Sequence, residues 1–240
     1  MLRFLRIYTL VIIASGLCLA GSASAHHFWI DQEGNEFVVK RGMFSERIDT
    51  YDTSCVKEVK AYGKDGSVLE ISRNDKADQV RFSTSTEPSM AVATSEWGYR
   101  VMTTEGKKFL TRKQALSKGL TVINAFFSTQ FVKTIFLPDG PFEQPVGQKF
   151  EMVPVQNPLA KTDSDTFQVQ LLYDGEPLSG APIFIPNGEK MSTDEKGMAR
   201  IPFSKDKPLL IYSKHWVEAK DRTDIDRIVF RTFLTVEPYR

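Results

Sequence analysis

Short apolar runs that alternate with polar positions and end at turn residues recur along most of the chain, which is the period of strands rather than helices. Phe37-Val38-Val39, Val56 to Tyr62, Gln79 to Phe82, Met90 to Thr94 and Tyr99 to Thr103 are short and rich in β-branched or aromatic side chains. Gly34-Asn35, Lys64-Asp65-Gly66 and Asn74-Asp75 supply turn chemistry between them. Leu120 to Leu137 is long and apolar, interrupted by Asn124 and by Ser128-Thr129-Gln130, and predicts one bent strand or two successive ones. One short helix is expected, with Thr111 as N-cap, Gln114 three residues on and Gly119 closing it.

Pro138-Asp139-Gly140-Pro141 breaks the pattern, and Gly147 to Val155 predicts a further strand ending at Gln156-Asn157-Pro158. The charged stretch Lys161 to Asp165 suits a solvated linker, so a boundary is expected near residue 162. Beyond it, Thr166 to Tyr173 sets Phe167, Val169 and Leu171 against Gln168, Gln170 and Leu172, as a half-buried strand does. Pro182 to Pro186, Leu209 to Val217 and Ile228 to Val236 continue the series, with tight turns at Asp174-Gly175 and Thr193 to Gly197. The expected fold is all-β: two Ig-like β-sandwich domains, residues 26–160 and 161–240, with at most one short helix.

The first 25 residues follow a different logic. Arg3 and Arg6 precede fourteen uncharged residues, Ile7 to Ala20, and then the small-residue run Gly21-Ser22-Ala23-Ser24-Ala25. This order is that of a cleavable signal peptide over residues 1–25. Fourteen residues span about 21 Å as a helix, short of the roughly 30 Å hydrocarbon core. Removal would leave a chain with no transmembrane segment, exported to the periplasm. It would also leave Cys55 alone, so no intrachain disulfide is expected, and a lone thiol of this kind is read as a small buried hydrophobe.

Charge narrows the partners. The 240 residues carry 31 basic and 30 acidic side chains, a net charge of +1, which offers no field for nucleic acid. Lys107-Lys108, Arg112-Lys113 and Lys118 lack clustered aromatics and are read as a solvated face. The chain has no G-x-S-x-G, H-E-x-x-H, C-x-x-C, P-loop or G-x-G-x-x-G pattern, so no enzyme is expected.

Histidine is the informative residue, because the chain has three, at His26, His27 and His215. Cleavage after Ala25 would place His26 at a free terminus, where one residue supplies an α-amine and an imidazole. The amine titrates near 8, so shedding its proton to bind a metal costs little at neutral pH. His27 and the distant His215 are the candidate additional ligands, the latter sharing a strand face with Leu209, Ile211 and Ser213. Nitrogen-rich sets of this kind suit nickel, cobalt, copper or zinc rather than calcium or magnesium. Glu218, Asp221, Asp224 and Asp226 follow His215 among basic residues and read as a solvated loop without EF-hand spacing. Glu46, Asp49 and Asp52 form a similar, weaker candidate.

Taken together, Ala25-His26-His27-Phe28-Trp29, Phe150-Glu151-Met152-Val153-Pro154 with Asn157-Pro158, Asp174 to Ala181, Thr193 to Gly197 and Leu210 to Trp216 carry a likeness. They resemble the secreted bacterial domain of unknown function 4198 family, related to periplasmic components of nickel and cobalt uptake. The resemblance spans nearly the whole mature chain and is strongest after residue 147. It implies a periplasmic protein of Ig-like β-domains that presents a transition metal (nickel, cobalt or copper) to a membrane transporter. The metal role it implies falls on His26, and with less support on His27 and His215. Where the family often has an acidic or small residue after the first histidine, this chain has His27. A copper-dependent oxidase using the same histidines, and a metal-free adhesion or structural module, are the alternative expectations.

Overall fold

The computed structural model describes residues 26–159, 166–186, 190–204 and 207–237. The expected signal segment and the charged linker near residue 162 lie outside the described residues. The first part of the chain forms β1 (His27–Glu33), β2 (Glu36–Met43), β3 (Arg47–Ile48), β4 (Val56–Tyr62), β5 (Val68–Leu69), β6 (Ile71–Asp75), β7 (Val80–Thr84), β8 (Met90–Thr103) and β9 (Gly106–Lys108). The helix α1 (Arg112–Ser117) leads into β10 (Val122–Ile135) and β11 (Phe150–Pro154). The last part forms β12 (Thr166–Tyr173), β13 (Glu176–Pro177), β14 (Pro182–Phe184), β15 (Lys190–Ser192), β16 (Met198–Pro202), β17 (Leu209–Glu218) and β18 (Arg227–Val236). The fold is all-β. The α-helix begins where its capping box predicts, with Thr111 and Gln114 bonded reciprocally, and Gly119 follows its last turn at φ +74°.

Three sheets are stacked. The middle sheet has nine strands in the order β15-β14-β17-β18-β10-β8-β4-β5, with β9 beside β8. One outer sheet runs β1-β2-β7-β6 with β3 on β2; the other runs β11-β12-β13 with β16 on β12. Side-chain alternation along the middle sheet explains the layering. Val132 of β10, Phe233 of β18, Ala91 and Ala93 of β8 and Leu210 of β17 meet Phe28, Ile30, Phe37 and Phe82 of the first outer sheet. Their neighbours one residue away, Phe131, Leu234, Met90, Val92 and Ile211, together with Phe230, meet Phe150, Met152, Phe167, Val169 and Leu171 of the second. Burying each of these large side chains contributes about 1.5–3 kcal/mol.

The middle strands read as near-continuous apolar runs because both their faces are covered. At the centre, β10 and β18 pair in parallel, from Phe126 opposite Arg227 to Ile135 opposite Val236. Strands from both sides of residue 160 thus hydrogen-bond within one sheet.

The two short strands expected on either side of Trp97 form one continuous strand, and of the two forms expected for Leu120 to Leu137 the single strand is the one present. Met90 to Thr94 and Tyr99 to Thr103 belong to the single strand β8, and Leu120 to Leu137 contains the single strand β10. Opposite Ser128 and Thr129 the register of β8 jumps from Gly98 to Glu96. Trp97 is therefore the extra residue of a β-bulge, and Gly98 takes the left-handed backbone, φ +69°, that the bulge requires.

One buried ion pair ties β10 to the second outer sheet. Lys133 Nζ lies 2.7 Å from Glu151 Oε1, and both side chains are 1% exposed. The carboxylate also accepts backbone N–H groups from Val146, Gly147 and Gln148 at 2.8–3.1 Å. Removing one partner leaves the other charge buried and alone, at a cost of roughly 3–5 kcal/mol. Lys133→Met and Glu151→Leu should each cost about that much in urea unfolding, while the double variant should be less destabilised than the two single losses added. Additive losses would show that the two groups do not act as a pair.

Candidate functional site

The start of β1 lies across the middle sheet, and the three histidines meet different fates there. His27 is 4% exposed. Its Nδ1 accepts the backbone N–H of Phe44 at 3.0 Å, and its ring packs on Tyr212 and Phe233 with centroids 5.4 and 6.5 Å away. The lone pair that a metal would need at Nδ1 is therefore already used. Burial, reinforced by the Arg231 cation, pushes the imidazole down to about 4. His27 is a neutral core residue.

His215 faces the other way. It is three positions beyond Tyr212 on β17, so strand alternation turns it to the opposite side of the middle sheet. Its ring rests on Tyr173 and Phe150, with centroids 4.7 and 5.9 Å away. Tyr212, against which His27 packs, belongs to the core on the other face. The structure thus corrects the expectation that His215 joins the terminal histidines in one centre, because a sheet separates them.

His26 is half-exposed and has a different neighbour. Its Nε2 stands 2.9 Å from Asp49 Oδ2, an approach that lacks hydrogen-bond alignment and leaves that buried oxygen without a hydrogen-bond partner among the described residues. Local backbone geometry brings Asp49 there. Gly42, paired with His27 and Ile48, has φ +151°, and a Cβ on it would fall 2.0 Å from the Arg47 carbonyl oxygen. Only glycine lets β2 and β3 close up at this point, and Asp49 N–H then donates to the Arg41 carbonyl at 2.7 Å. Arg47 Nε donates to Asp49 Oδ1 at 2.7 Å and holds the carboxyl below its usual range. Burial and the Arg41 cation lower the His26 imidazole despite Asp49, so it is neutral at pH 7. Among the described residues no three His, Cys, Asp or Glu side chains cluster as a metal site.

His26 borders a cavity of about 400 Å³ on the same face of the middle sheet. Its floor is the part of β10 from Asn124 to Gln130, beyond the region covered by the first outer sheet, with Trp97 of the bulge beside it. Its cations are Arg41, Arg100, Lys107, Lys214, Arg227 and Arg231, and no acidic side chain lines it. The sequence reading missed this cluster. Charge balance over the whole chain hides it, and five different strands contribute to it. Lys107, read as part of a solvated face, lies at its wall.

The other sequence candidates are structural. Asp226 pairs with Arg112 and accepts Ala125 N–H, and Asp224 pairs with Arg222. Cys55 is half-buried beside the first core, and burial raises its thiol.

The profile of a family described as "Domain of unknown function (DUF4198)" matches residues 23–212. No curated protein matches the chain. A solved structure titled "D0-D1 domain of Intimin" aligns over 89% of this chain and 100% of its own, at 9% identity and a TM-score of 0.21.

The depressed His27 imidazole has a consequence for stability. The unfolded ring takes up its proton near pH 6.5, whereas the folded one does so only near 4. The stability tied to this neutral ring is present in full above pH 6.5 and is lost as pH falls toward 4. Urea midpoints should drop between pH 7 and 4.5. His27→Asn, which can still accept the Phe44 N–H, should flatten that slope; an unchanged slope would place its origin elsewhere.

Proposed function

The chain belongs to the DUF4198 family, and from that premise we propose that it is an exported, non-enzymatic binding protein that carries a transition metal at His26. The observation that carries this reading is the His26–Asp49 pair. A histidine that binds metal through one ring nitrogen commonly directs the other at a carboxylate, which fixes the ring and raises its basicity. Asp49 Oδ2 stands 2.9 Å from that second nitrogen and has no hydrogen-bond partner among the described residues, so a small turn of the ring would let it accept the Nε2–H. No hydrogen bond among the described residues engages His26 Nδ1. A chain cleaved before His26 adds an α-amine, which together with Nδ1 forms a chelating pair. His27 and His215 are left out of this site.

Nickel, cobalt and copper are the ions of choice for such donors, with the periplasm as the setting and a membrane transporter as the recipient. No helix among the described residues is long and apolar enough to cross a membrane.

Calorimetry on protein beginning at His26 should show about one equivalent of nickel or copper bound. Residues retained ahead of His26 convert the amine to an amide and should abolish that binding, as should His26→Ala. Asp49→Asn should weaken it roughly 10- to 100-fold. Equal affinity with and without the extension would overturn amine ligation.

A further inference from the structure

The cavity beside His26 has a property that metal binding does not use. None of its six cations forms an ion pair with a carboxylate among the described residues. Elsewhere the chain pairs its charges freely, and even the fully buried Lys133 has its partner. In the cavity, Lys214 of β17 sits directly opposite Arg231 of β18, a cross-strand placement of like charges that disfavours the folded state. Partial burial first, and neighbouring cations second, lower the basicity of Lys107 and Lys214, while burial lowers Arg41 against the opposing effect of the Asp49 carboxylate. The fold therefore holds a cluster of cations with no directly paired carboxylate among the described residues.

Aromatic faces, not carboxylates, position several of these groups. The Arg41 guanidinium lies 4.7 Å from the Trp97 ring centroid, Arg100 lies 4.1 Å from Phe109, and Arg227 lies 4.6 Å from Trp216. Stacking engages the face of a guanidinium and leaves edge N–H donors for a planar or tetrahedral oxyanion, of which Arg100 spends one on the Tyr99 carbonyl at 2.7 Å. Trp97, nine-tenths buried in the cavity wall, carries an indole N–H without a partner among the described residues. The volume, about 400 Å³, lies in the range of small-molecule sites.

We propose that this cavity binds a small oxyanion carrying two or more negative charges, through carboxylate or phosphate oxygens. A monovalent anion would leave most of the cluster uncompensated, and a bare cation would be repelled. The proposal does not rest on the metal reading, since the six cations that carry it are not the proposed metal donors.

The test is calorimetry on the chain beginning at His26, freed of metal on a chelating resin because soluble chelators are themselves polycarboxylates. Citrate and pyrophosphate are the probes, with acetate and sodium chloride at matched ionic strength as controls. Saturable binding of about one citrate identifies a carboxylate ligand, and binding of pyrophosphate alone identifies a phosphate one. Either result supports the site when Arg100→Gln and Arg231→Gln each weaken binding about tenfold and Lys64→Gln, which removes an exposed cation outside the cavity, leaves it unchanged. The same two Arg variants should melt at higher temperature than the parent without ligand, because like-charge repulsion is relieved; that opposite sign separates ligand loss from damage to the fold. Absence of saturable binding, binding equal to the matched salt controls, or unchanged affinity in both Arg variants would overturn the proposal whatever the outcome with metal.

Discussion

Burial of the middle sheet on both faces is the constraint from which the rest of the molecule follows. Successive side chains of β10, β18 and β8 point to opposite sides, and each side must find an apolar cover. Phe131 and Val132, adjacent in sequence, belong to different cores. Parallel pairing of β10 with β18 demands a long crossover. The residues between them build the second outer sheet and the β14, β15 and β17 edge of the middle one. A layer of this kind cannot slip register by one residue without inverting both cores.

The same alternation decides the histidines. His215 lies three positions from Tyr212 of the opposite core, and parity alone turns it toward Phe150 and Tyr173. His27, at the start of β1, is drawn under Tyr212 and Phe233 and gives its lone pair to a backbone N–H. His26, one residue earlier, escapes the core and meets Asp49. Three chemically identical side chains thus become a packing element, a neutral core acceptor and a solvent-facing group with a carboxylate at hand.

Electrostatics sets the character of the face around His26. The first outer sheet stops short of the N-terminal half of β10, and cations from five strands converge on the uncovered floor. Rings stack on three of them, which leaves most of their N–H edges open. Burial, with this field second, keeps His26 neutral, and the field opposes an approaching dication. Under the metal reading, an anion seated in the cavity would offset that repulsion, and this links the two proposed ligands through charge alone.

Local chemistry made much of the fold legible in the sequence. The strand at Val56 to Tyr62, the strand at Thr166 to Tyr173 and the capping box at Thr111 are written in side-chain alternation and in hydrogen bonds between near neighbours. Asp49 was visible only as a weak carboxylate candidate, since nothing in its spacing ties it to a residue 23 positions earlier. The bulge at Trp97 looked like a gap between two strands, because an extra residue breaks alternation as a turn does. By itself the sequence determined the all-β class, the strand segments and the three histidines on which metal chemistry would turn. Only the tertiary structure decided which face each histidine occupies and that a charge-balanced chain gathers six cations around one cavity, because pairing distant strands creates neighbourhoods that no local pattern records.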